Sequence, residues 1–279
     1  MDDNRINISV NYQGQDNQDD PDYPENEEQE LSLGDKLTGS VMSPAETFGS
    51  ISRFELKLGD WLAPLSLLLV AAVLFTILKF ADPEVAAKNW EEQRAKVVQQ
   101  LKKEGKSADE IKDMESMMDK QKEMMSGGLG YVFMGVPIIV GGFIMFFISV
   151  AIYWGFAKLI LHSPISYKGA MIAYSLPALL SIGGMIVSTI LTLLFSTMYV
   201  DTSLSSFLQL DSGYLKSYFS AIDPIKIGGA YLTGIGMAKL SYSENTNSYI
   251  ALSVGLLFGF YFLIGTLSLL FPEFAAFGM

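Results

Sequence analysis

Five apolar stretches run through residues 61–271, each near the thickness of a bilayer's hydrocarbon core, so this chain is built to fold mostly in lipid. The clearest is Trp61 to Phe80, in which only Lys79 is charged. As a helix rising about 1.5 Å per residue it reaches about 30 Å, enough to cross that core. The others run from Tyr131 to about Leu161, Gly169 to Phe195, Ile222 to Leu240 and Ser248 to Phe271. A soluble bundle of buried helices would keep a polar stripe, and Leu65 to Leu78 and Ile138 to Phe156 have none. The expected fold is therefore all-α: a polytopic integral membrane protein with a five-span helix bundle over 61–271 and a short C-terminal tail, 272–279. The lipid bilayer is its first partner. No basic region leads into a short apolar core at the N-terminus, so the first span is expected to stay in the mature protein.

The formal charge of −11 is unevenly spread. Residues 1–30 hold ten acidic side chains and one basic, Arg5. This segment is rich in Asn and Gln and poor in large apolar groups, so it cannot bury enough surface to offset the entropy of ordering it. Residues 1–40 are read as a disordered acidic tail. An acidic tail excludes nucleic acid as a partner, since that partner needs a basic face. With no cysteine the chain has no disulfide and no thiolate nucleophile.

Order is expected from Ser43. Ser43, Pro44 and Glu46 form a capping-box pattern with proline at the first helical position, and Phe48, Ile51, Phe54 and Leu58 follow at near-helical spacing. The pattern predicts an amphipathic helix over 41–60, lying at the membrane surface and ended by Gly59.

Residues 81–126 carry eleven acidic and nine basic side chains between two apolar spans. Asp82, Pro83 and Glu84 read as a helix start, and Glu104 and Gly105 as its stop. Ser107 and Glu110 form a second capping box, and Ser126, Gly127 and Gly128 end the helix that follows. The prediction is an extramembrane helical hairpin over 83–126, between spans one and two. Met114, Met117, Met118 and Met125 fall on or beside one face of its second helix. Polarisable and easily repacked, they suit either a partner-binding surface or an internal seam between the two helices.

In the fourth span Ala230, Gly234 and Ala238 repeat every four residues, as do Ala251, Gly255 and Gly259 in the fifth. Small residues at that spacing let backbones approach closely, so both rows are expected at the contact between these helices.

Catalytic patterns are absent. His162 is the only histidine, which excludes a multi-histidine metal site, and neither a nucleophile elbow nor a P-loop occurs. Glu91 and Glu92 resemble the paired glutamates of intramembrane metalloproteases, but Lys96 stands where those enzymes need arginine. Lys79, Lys158, Lys226 and Lys239 fall near span ends, where their stems can carry the ammonium to the surface. No enzyme activity, cofactor or metal is expected.

Ser43, Pro44, Thr47 and Phe48, followed by Trp61, Leu62, Pro64 and Leu65, resemble the opening of bacterial members of the Yip family, named from the Ypt/Rab-interacting protein. Ala173, Tyr174, Ser175 and Pro177 resemble the family's pattern in the third span. Asp223, Pro224, Leu232, Gly234, Ile235 and Gly236 resemble its pattern before and within the fourth. Ile225 and Gly228 depart from it, standing where the family commonly has Phe and Trp. The resemblance covers about residues 42–271 and implies a five-span bundle in a bacterial cytoplasmic (inner) membrane with a cytoplasmic N-terminus.

Two functions follow. The first is a non-catalytic membrane adaptor or assembly factor that binds another membrane protein, such as a transporter, through the hairpin, the helices or the tail. The second is a small permease or lipid-handling protein. A packed interior favours the first and a polar or lipid-sized cavity between the spans the second.

Overall fold

The computed structural model describes residues 29–125, 128–210 and 213–271, and among these it holds helices and no strand. Four helical segments are long and apolar enough to cross a membrane: α3 (Gly59–Phe80), residues Val132–Leu161 of α6 (Gly128–Leu161), the pair α7 (Tyr167–Ser175) and α8 (Ala178–Phe195), and α12 (Thr246–Leu270). Their outward faces expose large apolar side chains such as Leu74, Ile144, Leu194 and Leu263. A water-soluble monomer does not carry apolar surface on that scale, so the chain is all-helical and membrane-embedded.

The fourth expected span forms α11 (Pro224–Leu240), and at 17 residues it is shorter than the other four. It is also the most enclosed helix. Ala230, Leu232, Thr233, Gly234, Ile235, Gly236, Met237, Ala238 and Leu240 are all buried, as α2 (Pro44–Ile51), α7, α8 and α12 pack around it. Its start is set by Asp223, whose carboxylate accepts from the backbone N–H of Ile225 at 2.8 Å, followed by Pro224 at the first helical position.

The third span is broken at Pro177, which has no N–H to donate and whose ring crowds the preceding turn. Leu176 caps the end of α7, and its freed carbonyl accepts the Ser40 hydroxyl at 3.0 Å. That serine belongs to α1 (Leu33–Met42), within residues expected to be tail. The tail reading of 1–40 therefore fails over 33–40; residues 1–28 and 272–279 lie outside the described residues.

The expected surface helix over 41–60 is also corrected. α1 and α2 (Pro44–Ile51) meet at Ser43, whose side chain makes no cap hydrogen bond, so the predicted capping box is not formed there. Residues 52–58 link α2 to α3, and Gly59 begins α3 rather than ending a helix. Phe48 is fully buried, with its ring over Gly236 of α11 beside Ala173 of α7, where a Cβ on Gly236 would meet Phe48 Cζ at 2.9 Å. The apolar face of α2 is satisfied by protein, not by lipid.

Residues 83–125 hold α4 (Pro83–Lys103) and α5 (Ala108–Met125); of the expected stop, Ser126 and Gly127 lie outside the described residues, and Gly128 begins α6 rather than ending a helix. Asp82 accepts from the N–H of Glu84 at 2.8 Å, Gly105 supplies the left-handed turn at φ 73°, and Ser107 and Glu110 exchange both bonds of a capping box. Arg94 bridges the helices, 3.3 Å from Glu115 and 3.5 Å from Asp119.

Polar contacts sort the connections into two groups. Tyr242 donates to the carbonyl of Ser52 at 2.6 Å and the hydroxyls of Ser163 and Ser241 are 2.9 Å apart, so residues 52–58, 162–166 and 241–245 gather at one end of the bundle. Lys88 donates to Thr197 at 3.2 Å and Lys79 to the carbonyl of Tyr199 at 2.7 Å, which puts α4 with the 196–223 connection.

Candidate functional site

A cavity of about 390 Å³ lies between α3, α6, α7, α8, α11 and α12. It exists because α11 presents Gly229 and Ala230 there, where larger side chains would fill the space. Leu68, Met145, Leu256 and Phe260 supply apolar wall, and Tyr153, Tyr174, Ser149 and Thr233 add hydroxyl-bearing side chains. The aromatic positions are fixed from behind. Trp61 stacks on Phe146 at 5.8 Å, Phe146 meets the edge of Tyr174 at 5.8 Å, and Tyr174 lies 5.4 Å from Tyr153. The Tyr153 hydroxyl donates to the carbonyl of Ser253 at 3.4 Å.

A second, polar chamber of about 160 Å³ lies among α4, α10 (Tyr214–Ser220) and the connection after α8, which includes the short α9 (Leu204–Phe207). Lys226 and Tyr261 line both chambers and divide them. The Lys226 ammonium is 2.6 Å from Asp201 and 3.7 Å from Asp223, donates to the Ser220 carbonyl at 3.2 Å, and sits 5.0 Å from the centre of the Tyr261 ring. Asp201 is held in turn by the hydroxyls of Ser203 at 2.6 Å and Ser206 at 2.5 Å. Thr202 donates to the buried Asp223 at 2.8 Å, and a row of hydroxyls continues through Ser203, Ser205 and Ser220. Burial works against a charged Asp201, yet the Lys226 ammonium and the two serine hydroxyls outweigh it and draw its pKa down to about 2. The carboxylate is therefore ionised at any physiological pH.

Two of the lysines expected to reach the surface do not. Lys79 is 8% exposed and its ammonium is spent inside the protein, on Ser188 at 2.9 Å and the Tyr199 carbonyl. Lys226 is likewise committed to the Asp201 pair. A hydroxyl and a carbonyl take up the Lys79 ammonium, and a carboxylate and a carbonyl that of Lys226.

The small-residue rows divide. Ala230, Gly234 and Ala238 are buried on α11, and a Cβ on Gly234 would come within 2.6 Å of the Ile250 Cα on α12. Ala251, Gly255 and Gly259 face outward instead, and a Cβ on Gly255 or Gly259 would meet nothing within 4 Å. Tyr249 and Ile250 face α11 in their place: Gly234 admits the backbone of a residue one position before the row, and that register turns the row away.

Of the residues carrying the family resemblance, Tyr174, Ser175 and Pro177 line the cavity. Ser43, Pro44 and Phe48 belong to the α1–α2 corner above Gly236, Trp61 and Tyr174 flank Phe146, and Pro64 is fully buried in α3. Pro177 lines the cavity, and Asp223 and Pro224 start α11. On α5, Met114 and Met117 are exposed, Met118 is half-buried, and the side chain of Met125 lies outside the described residues. No group of histidine, cysteine, aspartate and glutamate suited to a metal occurs among the described residues.

Sequence reasoning missed Asp201, Tyr153 and Tyr261 and misplaced Lys226. A signal was available: Asp201 is followed closely by Ser203, Ser205 and Ser206, and Lys226 stands three residues after the helix-starting Asp223. Compared with known families, curated proteins and solved structures, the chain has no match.

Proposed function

We propose that this chain is a non-catalytic, lipid-handling membrane protein that takes up an amphipathic small molecule between its helices. The observation that carries the reading is the cavity, apolar over most of its wall, dotted with hydroxyls and bearing Lys226 in its lining. Its volume falls within the range of about 300–1,000 Å³ typical of small-molecule sites. Gly229 provides the test, because its missing Cβ would meet nothing within 4 Å while the residue lines the cavity. Gly229→Leu is expected to fill the chamber, keep or raise thermal stability, and remove lipid that co-purifies with the wild type. Native mass spectrometry of both proteins reads this. Unchanged lipid adducts on a folded variant would reject the reading.

The proposal includes a fifth crossing by α11, with a Yip-type arrangement in a bacterial inner membrane and the N-terminus cytoplasmic. Support comes from the two groups of connections, since α11 leaves the 196–223 group and ends in the 241–245 group. Its length of about 25 Å is short for a bilayer but is extended at both ends by polar residues. Lys102→Cys and Tyr214→Cys should therefore label from one face of the membrane, and Glu55→Cys and Glu244→Cys from the other. Labelling of Glu244→Cys from the same face as Tyr214→Cys would refute the crossing.

A second reading, an adaptor docking another membrane protein, is favoured by one observation: Met117 is 64% exposed on α5. If this face docks a partner, Met117→Ala should lower partner recovery in mild detergent and leave the melting temperature unchanged. A fall in melting temperature with full recovery assigns the methionines to the helix seam.

A further inference from the structure

Most hydroxyls on the cavity wall are already spent. Ser149 is bonded to Tyr174, Tyr153 donates to the Ser253 carbonyl at 3.4 Å, and Ser175 donates to that of Ile172 at 3.4 Å. Thr233 of α11 is not: it lines the cavity, is 3% exposed, and its hydroxyl makes no hydrogen bond among the described residues. A threonine inside a helix can satisfy itself on a carbonyl one turn back. Thr38 does so on Gly34 at 2.9 Å and Thr192 on Ser188 at 2.7 Å. Thr189, Ser217 and Ser253 also hold hydroxyls without partners, but protein seals these, whereas the Thr233 oxygen is open to the space it lines. An unpaired buried hydroxyl costs stability, which a ligand oxygen placed against it would restore.

We infer that Thr233 receives the polar end of an uncharged amphiphile, an alcohol, ester or ketone oxygen, while the apolar part lies among Leu256, Leu257 and Phe260. The inference rests on the cavity-binding reading and adds the class of ligand. The absence of charge follows from the wall. Among the described residues lining it, the one charged side chain is Lys226, whose ammonium is engaged by Asp201 at 2.6 Å, by Asp223 at 3.7 Å and by the Ser220 carbonyl at 3.2 Å. A ligand of either sign would enter without a free counter-charge, and an unpaired buried charge costs far more than the hydroxyl regains. A hydroxyl both donates and accepts, so it serves a ligand O–H or C=O equally. The layout orients the ligand. Gly234, beside Thr233, abuts Ile250, and Leu256 and Phe260 lie about 9 and 15 Å further along α12 at about 1.5 Å per residue. Their side chains wall the cavity over a length suited to a chain rather than to a compact solute.

The test uses full-length protein in phosphatidylcholine nanodiscs and three photoactivatable probes with the same diazirine-bearing chain, ending in hydroxyl, sulfate and trimethylammonium. The hydroxyl probe is expected to label peptides carrying Met145 to Tyr153 and Leu256 to Tyr261 at concentrations at least about fivefold lower than either charged probe. Thr233→Val, close in shape, should weaken hydroxyl labelling by about fivefold, the size of one hydrogen bond. It should also keep or raise the melting temperature, since the empty protein loses an unpaired group. Thr233→Ser keeps the hydroxyl and should label as the wild type does. A charged probe that labels as well as the hydroxyl probe overturns the uncharged class while the cavity reading stands. Unchanged labelling of Thr233→Val, or an equal loss in Thr233→Ser, overturns the role of the hydroxyl. Labelling of neither peptide by any probe overturns the cavity reading itself.

Discussion

Gly234→Leu is expected to lower the stability of this protein in detergent by about 3 kcal/mol or more, the upper range for overpacking a close contact. The reason is the nature of the neighbour. A Cβ at this position would lie 2.6 Å from the Ile250 Cα, 2.9 Å from its nitrogen and 2.9 Å from the Tyr249 carbonyl oxygen. Backbone atoms within a helix cannot rotate aside as a side chain does, so α11 and α12 must part along their length. Gly255→Leu is the control, since its row faces outward and its Cβ would meet nothing within 4 Å. It should change stability by about 0.5 kcal/mol or less, as surface substitutions do. Thermal unfolding of the two variants and the wild type, followed by helical circular dichroism, reads the contrast. Equal losses at both positions would mean that the row of Ala251, Gly255 and Gly259 packs inside after all.

That contrast shows what the sequence could and could not display. Repeats of small residues announce that two helices come close, and Gly234 could be identified from them. They do not announce which face of the partner helix is used, because α12 is apolar on every side and a helix in lipid gains nothing by turning one apolar face outward over another. The apolar spans, the starts at Asp82 and Asp223 and the turn at Gly105 were legible for a different reason. Each is local, decided by hydropathy or by hydrogen bonds across three or four residues. The cavity was not legible, since it is a space left between six helices by Gly229 and Ala230. The same holds for Lys226, whose distance from a span end suggested a route to the surface, while its partner Asp201 lies 25 residues back across a loop. Long-range pairing of this kind leaves only a faint trace, here the serines that follow Asp201.

Lys36→Met is expected to cost about 3–5 kcal/mol, the range seen when one partner of a buried ion pair is removed. Lys36 looked like tail, a single basic residue after an acidic run, yet it is 4% exposed. Its ammonium donates to Asp60 at 2.7 Å and to Glu30 at 2.9 Å, and Asp60 is itself only 5% exposed at the start of α3. Lys57 also pairs with Glu30, and its backbone N–H donates to Asp60 at 2.7 Å. The pair thus ties α1 to the first span, and α1 in turn supplies the Ser40 hydroxyl to the broken turn at Leu176. Deleting the ammonium leaves a carboxylate that is buried, charged and short of its main partner. Burial disfavours the charged lysine, but Asp60 and Glu30 outweigh it and raise the Lys36 pKa above its ordinary 10.5. The stabilisation from that shift is fully present below 10.5 and is lost as pH rises through the raised value, so it does not vary near neutrality. The double variant Lys36→Met with Asp60→Leu removes both charges and should recover most of the loss, as apolar replacements of buried pairs do. Melting temperatures of the two single variants and the double decide it. Single losses that simply add in the double would show that the two groups act separately, and α1 would then be fastened to the bundle by Ser40 and by packing against α2, α8 and α11.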